Sequence, residues 1–201
     1  MCLSLVGSEM CIRDSHWGAN WNKGFDIYQK LDSLLNDSYW NNKIEFSYIG
    51  NLPKNFEFKN STHISPLSGI KLASKLKENH LYITASKNEP SGNHHIEAAQ
   101  CSLPILFINS GGIPEYCNDY GLIFEENNFE DKLNEIYENY EIYYNKILNY
   151  PFNARKMCSE YLTLFNELNK RKNQILETRN IKNLKTTNQY LFRLKNLKIN
   201  K

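Results

Sequence analysis

The chain has 201 residues, enough for one domain with a sizeable core. It has no run of about 18 apolar residues, which excludes a membrane-spanning helix, and its five cysteines lack paired or metal-ligand spacing, which argues against a disulfide framework or a structural zinc site. The net charge of +2 hides an asymmetry: Lys170 to Lys201 carry ten Lys or Arg against the single acid Glu177, so a +9 tail follows an acidic remainder of about −7.

Taken in order, Met1 to Ser15 reads MCLSLVGSEMCIRDS. The run V-G-S-E-M-C-I-R-D-S resembles translated sequencing-adapter read-through, and we expect residues 1–15 to be a non-native leader; the alternative is an ordinary first strand. No cationic start or cleavage pattern marks a signal peptide. The loop His16 to Gly24 follows, and Phe25, Tyr28, Leu31 and Leu35 recur at helical spacing, so a helix starts near Asn22. Ile44 to Ile49 reads as a strand ending at Gly50-Asn51. Thr62 to Ser65 reads as a second short strand, leading through Pro66-Leu67 into a helix over Gly69 to Asn79, with Ile70, Leu72, Ala73 and Leu76 on its buried side.

The centre of the chain is Thr84 to Glu115. A strand containing Leu81, Tyr82 and Ile83 ends in small polar residues. A loop with Glu89, Pro90, Ser91 and Gly92 leads to a helix over Asn93 to Cys101 and a strand over Pro104 to Ile108. Gly111-Gly112 and the first-turn Pro114 come next. Strand, loop, helix, strand is a parallel βαβ unit, which predicts an α/β, Rossmann-like parallel sheet with helices on both faces. Gly121 to Phe124 is a last strand, Phe129 to Leu148 a helix ended by Pro151, and Asn153 to Leu176 another amphipathic helix. The expected domain is 16–170, with a basic tail over 171–201. Cys101, Cys117 and Cys158 are expected to be reduced and mostly buried.

In open α/β sheets the loops at strand C-terminal ends bind ligands. Glu89 sits in such a loop and Glu97 eight residues on, about one turn into the helix. Asn93 suits the N-cap. A helix N-terminus attracts phosphate, and Gly92 allows a ligand close to the backbone. Two carboxylates that accept hydrogen bonds from hydroxyls around one phosphate suggest a nucleotide-sugar. Adjacent residues point about 100° apart on a helix, so His94 and His95 do not hold one metal together. Either one packs and the other faces solvent, or His94 lies beside the sugar-phosphate. His63 and His80 are expected to be structural or exposed.

E-P-S-G-N-H-H-I-E resembles the Glu-x7-Glu signature of retaining glycosyltransferases with the GT-B fold, in particular glycosyltransferase family 4. S-G-G-I-P-E-Y resembles the G-G-x-P-E that follows it there. The similarity covers Trp17 to Asn128, the donor-binding C-terminal domain. It implies that Lys23-Gly24 contact a donor diphosphate, and that backbone groups at Pro66 and Leu67 help read the base. Ser91, Gly92, Asn93, His94 and Glu97 would bind the donor, Glu97 through the ribose. Glu89 would act on the sugar ring as the catalytic carboxylate. The family's other cation, often Arg, would fall on Trp17, a departure that leaves His16 as substitute or fewer charges on the phosphates.

The implied activity is retaining transfer from a UDP- or GDP-sugar, without a metal or other cofactor, to an acceptor glycan, lipid or protein. The acceptor site would lie in a missing N-terminal domain, so the fragment alone would be inactive. The alternatives are a non-catalytic nucleotide-sugar-binding or scaffold module and half of a sugar-nucleotide epimerase. The setting is expected to be cytoplasmic, with membrane-surface contact through the basic tail as a further expectation. The tail has too few interleaved aromatics for a nucleic-acid binder.

Overall fold

The computed structural model describes residues 9–179. Six parallel strands form one sheet in the order β3-β2-β1-β4-β5-β6. In chain order these are β1 (Met10–His16), β2 (Ile44–Gly50), β3 (Thr62–Ile64), β4 (Leu81–Thr84), β5 (Ile105–Ile108) and β6 (Gly121–Phe124). Between them run α1 (Phe25–Leu34), α2 (Gly69–Leu76), α3 (His94–Gln100) and α4 (Ile113–Cys117), followed by α5 (Phe129–Glu138) and α6 (Tyr140–Ile147). The expected helix over 129–148 is therefore two helices, divided at Asn139. Strand order reverses at β1/β4, so right-handed crossovers send α1 to one face and α3 and α4 to the other.

The inner strands show why the sheet is parallel. Every residue of β4 (LYIT) and β5 (ILFI) is buried, as continuous apolar runs covered on both faces must be. β1 breaks that rule. Its sequence is MCIRDSH, yet it pairs with β2 along all seven residues and with β4 on its other side. Two flanking ladders satisfy its backbone, so Arg13, Asp14, Ser15 and His16 are carried inside with their side chains. Tyr82 compensates in part: its hydroxyl accepts from the Ser15 N–H at 3.1 Å and shares a hydrogen bond with Ser15 Oγ at 3.1 Å. Neither Asp14 oxygen has a hydrogen bond, and the near neighbour is His16, whose Nε2 lies 3.4 Å from Asp14 Oδ2. Met10–Ser15 forms most of this central strand, whereas the domain expected from sequence begins at His16.

Two local devices place the loops. Asp32, on α1, accepts hydrogen bonds from the backbone N–H groups of Lys59, Asn60 and Ser61 at 2.8–3.0 Å and from Ser61 Oγ at 2.5 Å. This pins the β2–β3 connection to the helix. Gly24 ends the 3₁₀ turn Trp21–Lys23 and starts α1 with φ +91°. A Cβ there would lie 2.4 Å from Ala85 Cβ and 2.5 Å from the Ala85 carbonyl oxygen, so only glycine fits. On α2, Leu72 and Leu76 are buried as expected, but Ile70 is 86% exposed because, about 200° of helical turn from Leu72, it lies on the opposite face.

The chain divides into two compact units, the first closing at Asn153 and the second beginning at Ala154. The domain expected from sequence runs on to Lys170. The second unit contains α7 (Ala154–Lys170) and α8 (Lys172–Thr178), neither with a buried residue. Met157, Tyr161, Leu164, Phe165 and Leu168 form an apolar stripe open to solvent. Cys158 is exposed there rather than buried; Cys117 is buried and Cys101 half-buried, all three as free thiols. Residues 180–201, the larger part of the expected tail, lie outside the described residues. Among the described residues no helix is long and apolar enough to cross a membrane.

Candidate functional site

The C-terminal ends of β1 and β4 diverge at the point where strand order reverses, and the crevice between them is open. A cavity of about 380 Å³ lies there. Eleven of the residues singled out from sequence line it: His16, Trp17, Lys23, Pro66, Leu67, Glu89, Ser91, Gly92, Asn93, His94 and Glu97. Gly24 does not reach the cavity; it sits against Ala85 and lets the Lys23 turn pack on the end of β4. Sequence reasoning passed over Ser15, Gly18, Ile49 and Leu72, which also line it. They carry no chemical signature, and only the strand order brings them to one place.

The two acids differ. Glu89 is held: its carboxylate sits 2.5 Å from Lys23 Nζ and accepts a longer hydrogen bond from Ser86 Oγ at 3.4 Å. Its backbone is clamped by the glycine pair. Gly112 N–H donates to the Glu89 carbonyl at 2.8 Å, and Asn88 N–H donates to Ser110 Oγ at 2.9 Å. Gly111, at φ +60°, has the Glu89 carbonyl oxygen 2.3 Å from where a Cβ would be. What these glycines admit is thus the Glu89 loop itself. Glu97 is exposed on the cavity wall. Partial burial still raises its pKa above the usual carboxylate range. Asn93 occupies the N-cap position of α3 but makes no side-chain cap bond, because its backbone is already helical (φ −83°, ψ −24°).

The histidines form a cluster. His16 and His94 rings lie 4.1 Å apart, His94 and His95 4.9 Å. His94 lines the cavity and hydrogen-bonds Thr84 Oγ1 at 2.9 Å. His95 is fully buried with neither ring nitrogen partnered, packed on Tyr116. Neither faces solvent in the way the blander expectation had it. Burial, helped by Lys23 and His95, pushes His16 down to about 3. Before a ligand binds, His16 is therefore neutral at physiological pH, with Asp14 Oδ2 at 3.4 Å from its Nε2. Burial likewise holds His94 well below its ordinary value and pushes His95 down to about 4. His63 and His80 are structural: His63 Nε2 bonds the Gly50 carbonyl and His80 Nδ1 accepts from the Cys11 N–H. Among the described residues no cluster of three His, Cys, Asp or Glu could hold a metal ion.

Solved structures share this architecture. WaaG, a glycosyltransferase involved in lipopolysaccharide biosynthesis, aligns at a TM-score of 0.58 and 17% identity, over 71% of this chain and 41% of its own. The pneumococcal O-GlcNAc transferase GtfA, solved with UDP and GlcNAc, aligns at 0.62 and 11% identity, over 80% of this chain and 36% of its own. The C-terminal domain of a group 1 glycosyl transferase, LpcC from Francisella tularensis, aligns at 0.55 and 17% identity, over 70% and 81%. At such identities the likeness speaks for the fold alone. The chain spans about two fifths of the length of WaaG and GtfA. Comparison with curated proteins finds no match. The family model described as "Glycosyl transferases group 1" matches residues 51–161, more than half of the chain and including both the Glu89 loop and the glycine pair, and the chain belongs to that family.

Proposed function

We propose that residues 10–153 are the donor-binding domain of a retaining glycosyltransferase, and that the cavity takes a nucleoside-diphosphate sugar. The observation that carries this reading is the meeting of Lys23, Glu89 and Glu97 at one 380 Å³ cavity where strand order reverses. In this reading Lys23 faces the diphosphate and stabilises it as it leaves. Glu97 accepts from the ribose hydroxyls, Pro66 and Leu67 flank the base, and Ser91, Gly92, Asn93 and His94 line the sugar-phosphate. Glu89 meets the sugar ring and favours its cationic transition state electrostatically. The nucleotides held by solved relatives, UDP in GtfA and ADP in a starch synthase from Arabidopsis thaliana, support this class of donor.

The acceptor site is proposed to lie in a second domain, against which the bare apolar stripe of α7 would pack; the two-fifths coverage of full-length relatives supports this. The basic residues after Lys170 are proposed to add contact with an anionic membrane surface. Isothermal titration of the chain with UDP and GDP tests the donor reading. We expect binding of one of them below millimolar and a loss of about tenfold in Glu97→Ala, one charged hydrogen-bonding partner's worth. No binding of either at millimolar concentration would overturn it.

A further inference from the structure

Lys23 is the single Lys or Arg lining the cavity among the described residues, and it is already occupied. Its Nζ lies 2.5 Å from Glu89 Oε2, in a pair whose side chains are 23% and 14% exposed. Glu89 is the side of the pair whose backbone is anchored. Its loop is tied down by Gly112 N–H at 2.8 Å and by the close approach of Gly111, and Ser86 Oγ supports the carboxylate at 3.4 Å. With His16 and His94 neutral, the cavity presents one cation against two carboxylates, Glu89 and Glu97. A diphosphate brings two or more further negative charges. It enters a site of the wrong net sign unless Lys23 is freed to face it.

We propose that the Lys23–Glu89 pair is a latch that an incoming diphosphate must open, and that the sugar on that diphosphate supplies the replacement partner for the released carboxylate. This rests on the donor reading above and adds to it a rule of discrimination. A spent nucleoside diphosphate takes Lys23 but leaves Glu89 unpaired in a partly enclosed site, which is unfavourable. A sugar donor takes Lys23 and gives Glu89 the ring hydroxyls in exchange. The latch therefore weakens by-product binding relative to donor, and so favours release of the spent nucleotide. No bond is made or broken; only ion pairs and hydrogen bonds are exchanged.

The test is a calorimetric double-mutant cycle with wild type, Glu89→Gln, Lys23→Gln and the double variant, titrated with UDP, UDP-glucose, GDP and GDP-mannose. Glu89→Gln should bind the nucleoside diphosphate on the order of tenfold tighter than wild type, with the preference for donor over nucleoside diphosphate reduced. In the Lys23→Gln background the same change should gain much less, because no latch remains to open. A Glu89→Gln variant that binds UDP and GDP no tighter than wild type overturns the latch. So does an equal gain with and without Lys23, which would mean simple repulsion. Should Glu89→Gln fail to fold, Glu89→Asp serves instead: it keeps the charge but withdraws the carboxylate by one methylene. It should bind the nucleoside diphosphate more tightly than wild type, and no gain overturns the latch. Binding by wild type without these differences leaves the donor reading standing and removes the latch alone. Absence of nucleotide binding in every variant removes the donor reading and the latch with it.

Discussion

Asp14→Asn is a direct probe of how the central strand is held. Asp14 is fully buried in β1, and neither carboxylate oxygen has a hydrogen-bond partner. Burial pushes its pKa up from 3.8 to about 7, and the nearby Tyr28 and Tyr82 hydroxyls only moderate the rise. The folded protein therefore binds this proton more tightly than the unfolded chain does. Between pH 3.8 and about 7 the unfolded state has lost the proton and the native state has not, so stability falls as pH rises through that window. A shift of about three pH units corresponds to about 4 kcal/mol at 1.36 kcal/mol per unit, of which about 3 kcal/mol falls between pH 5 and pH 8. His16 works in the opposite direction, since its pushed-down pKa makes stability rise with pH between about 3 and 6.5. His16 Nε2 lies 3.4 Å from Asp14 Oδ2, so the difference between wild type and Asp14→Asn reads the carboxyl together with its effect on His16. Urea denaturation followed by circular dichroism should show Asp14→Asn gaining about 3 kcal/mol on wild type from pH 5 to pH 8. A difference that stays flat with pH would refute the burial of an unpaired carboxyl at this position.

The other perturbations follow from the loop devices. Gly24→Ala places a Cβ 2.4 Å from Ala85 Cβ at φ +91°. Strain and overlap together should cost about 3 kcal/mol and lower Tm by about 9 °C in a thermal melt. Asp32→Ala removes the acceptor for three backbone N–H groups and should cost about 2–3 kcal/mol at pH 7 by urea denaturation. Burial would raise the Asp32 pKa, but its hydrogen bonds outweigh that and lower it. The wild-type advantage is therefore present at neutral pH and shrinks as the pH falls below the unfolded value of 3.8. Gly111→Ala should displace the Glu89 loop, so that nucleoside diphosphate affinity changes by at least about threefold while α7 and α8 keep their helical signal. Unchanged affinity would show that the glycine pair does not position Glu89.

Much of the fold was legible because parallel strands announce themselves. LYIT and ILFI are short apolar runs ended by small polar or glycine residues, and both fall within a residue of where periodicity puts them. β1 was the opposite case. The resemblance of V-G-S-E-M-C-I-R-D-S to adapter read-through sets residues 1–15 aside, with an ordinary first strand as the alternative, and Met10–His16 pairs as a strand between two neighbours. Lys23, Glu89 and Glu97 stood out by residue type and by the spacing of the Glu-x7-Glu resemblance. The Lys23–Glu89 contact could not be read, since the two residues lie 66 apart and meet only through the β1–β4 neighbourhood. Ile70 went astray because residues two apart on a helix point about 200° from each other, and Cys158 because the usual burial of cysteine does not say whether its own helix is covered.

The central claim is that Lys23, Glu89 and Glu97 surround a nucleotide-sugar at the point where strand order reverses. A crystal structure of the chain grown with UDP-glucose or GDP-mannose tests it most directly. The account predicts diphosphate oxygens within about 3.5 Å of Lys23 Nζ and the ribose hydroxyls on Glu97, with Glu89 turned from Lys23 to the sugar. Nucleotide density lodged elsewhere, or an empty cavity with the Lys23–Glu89 pair still closed at saturating donor, would contradict it.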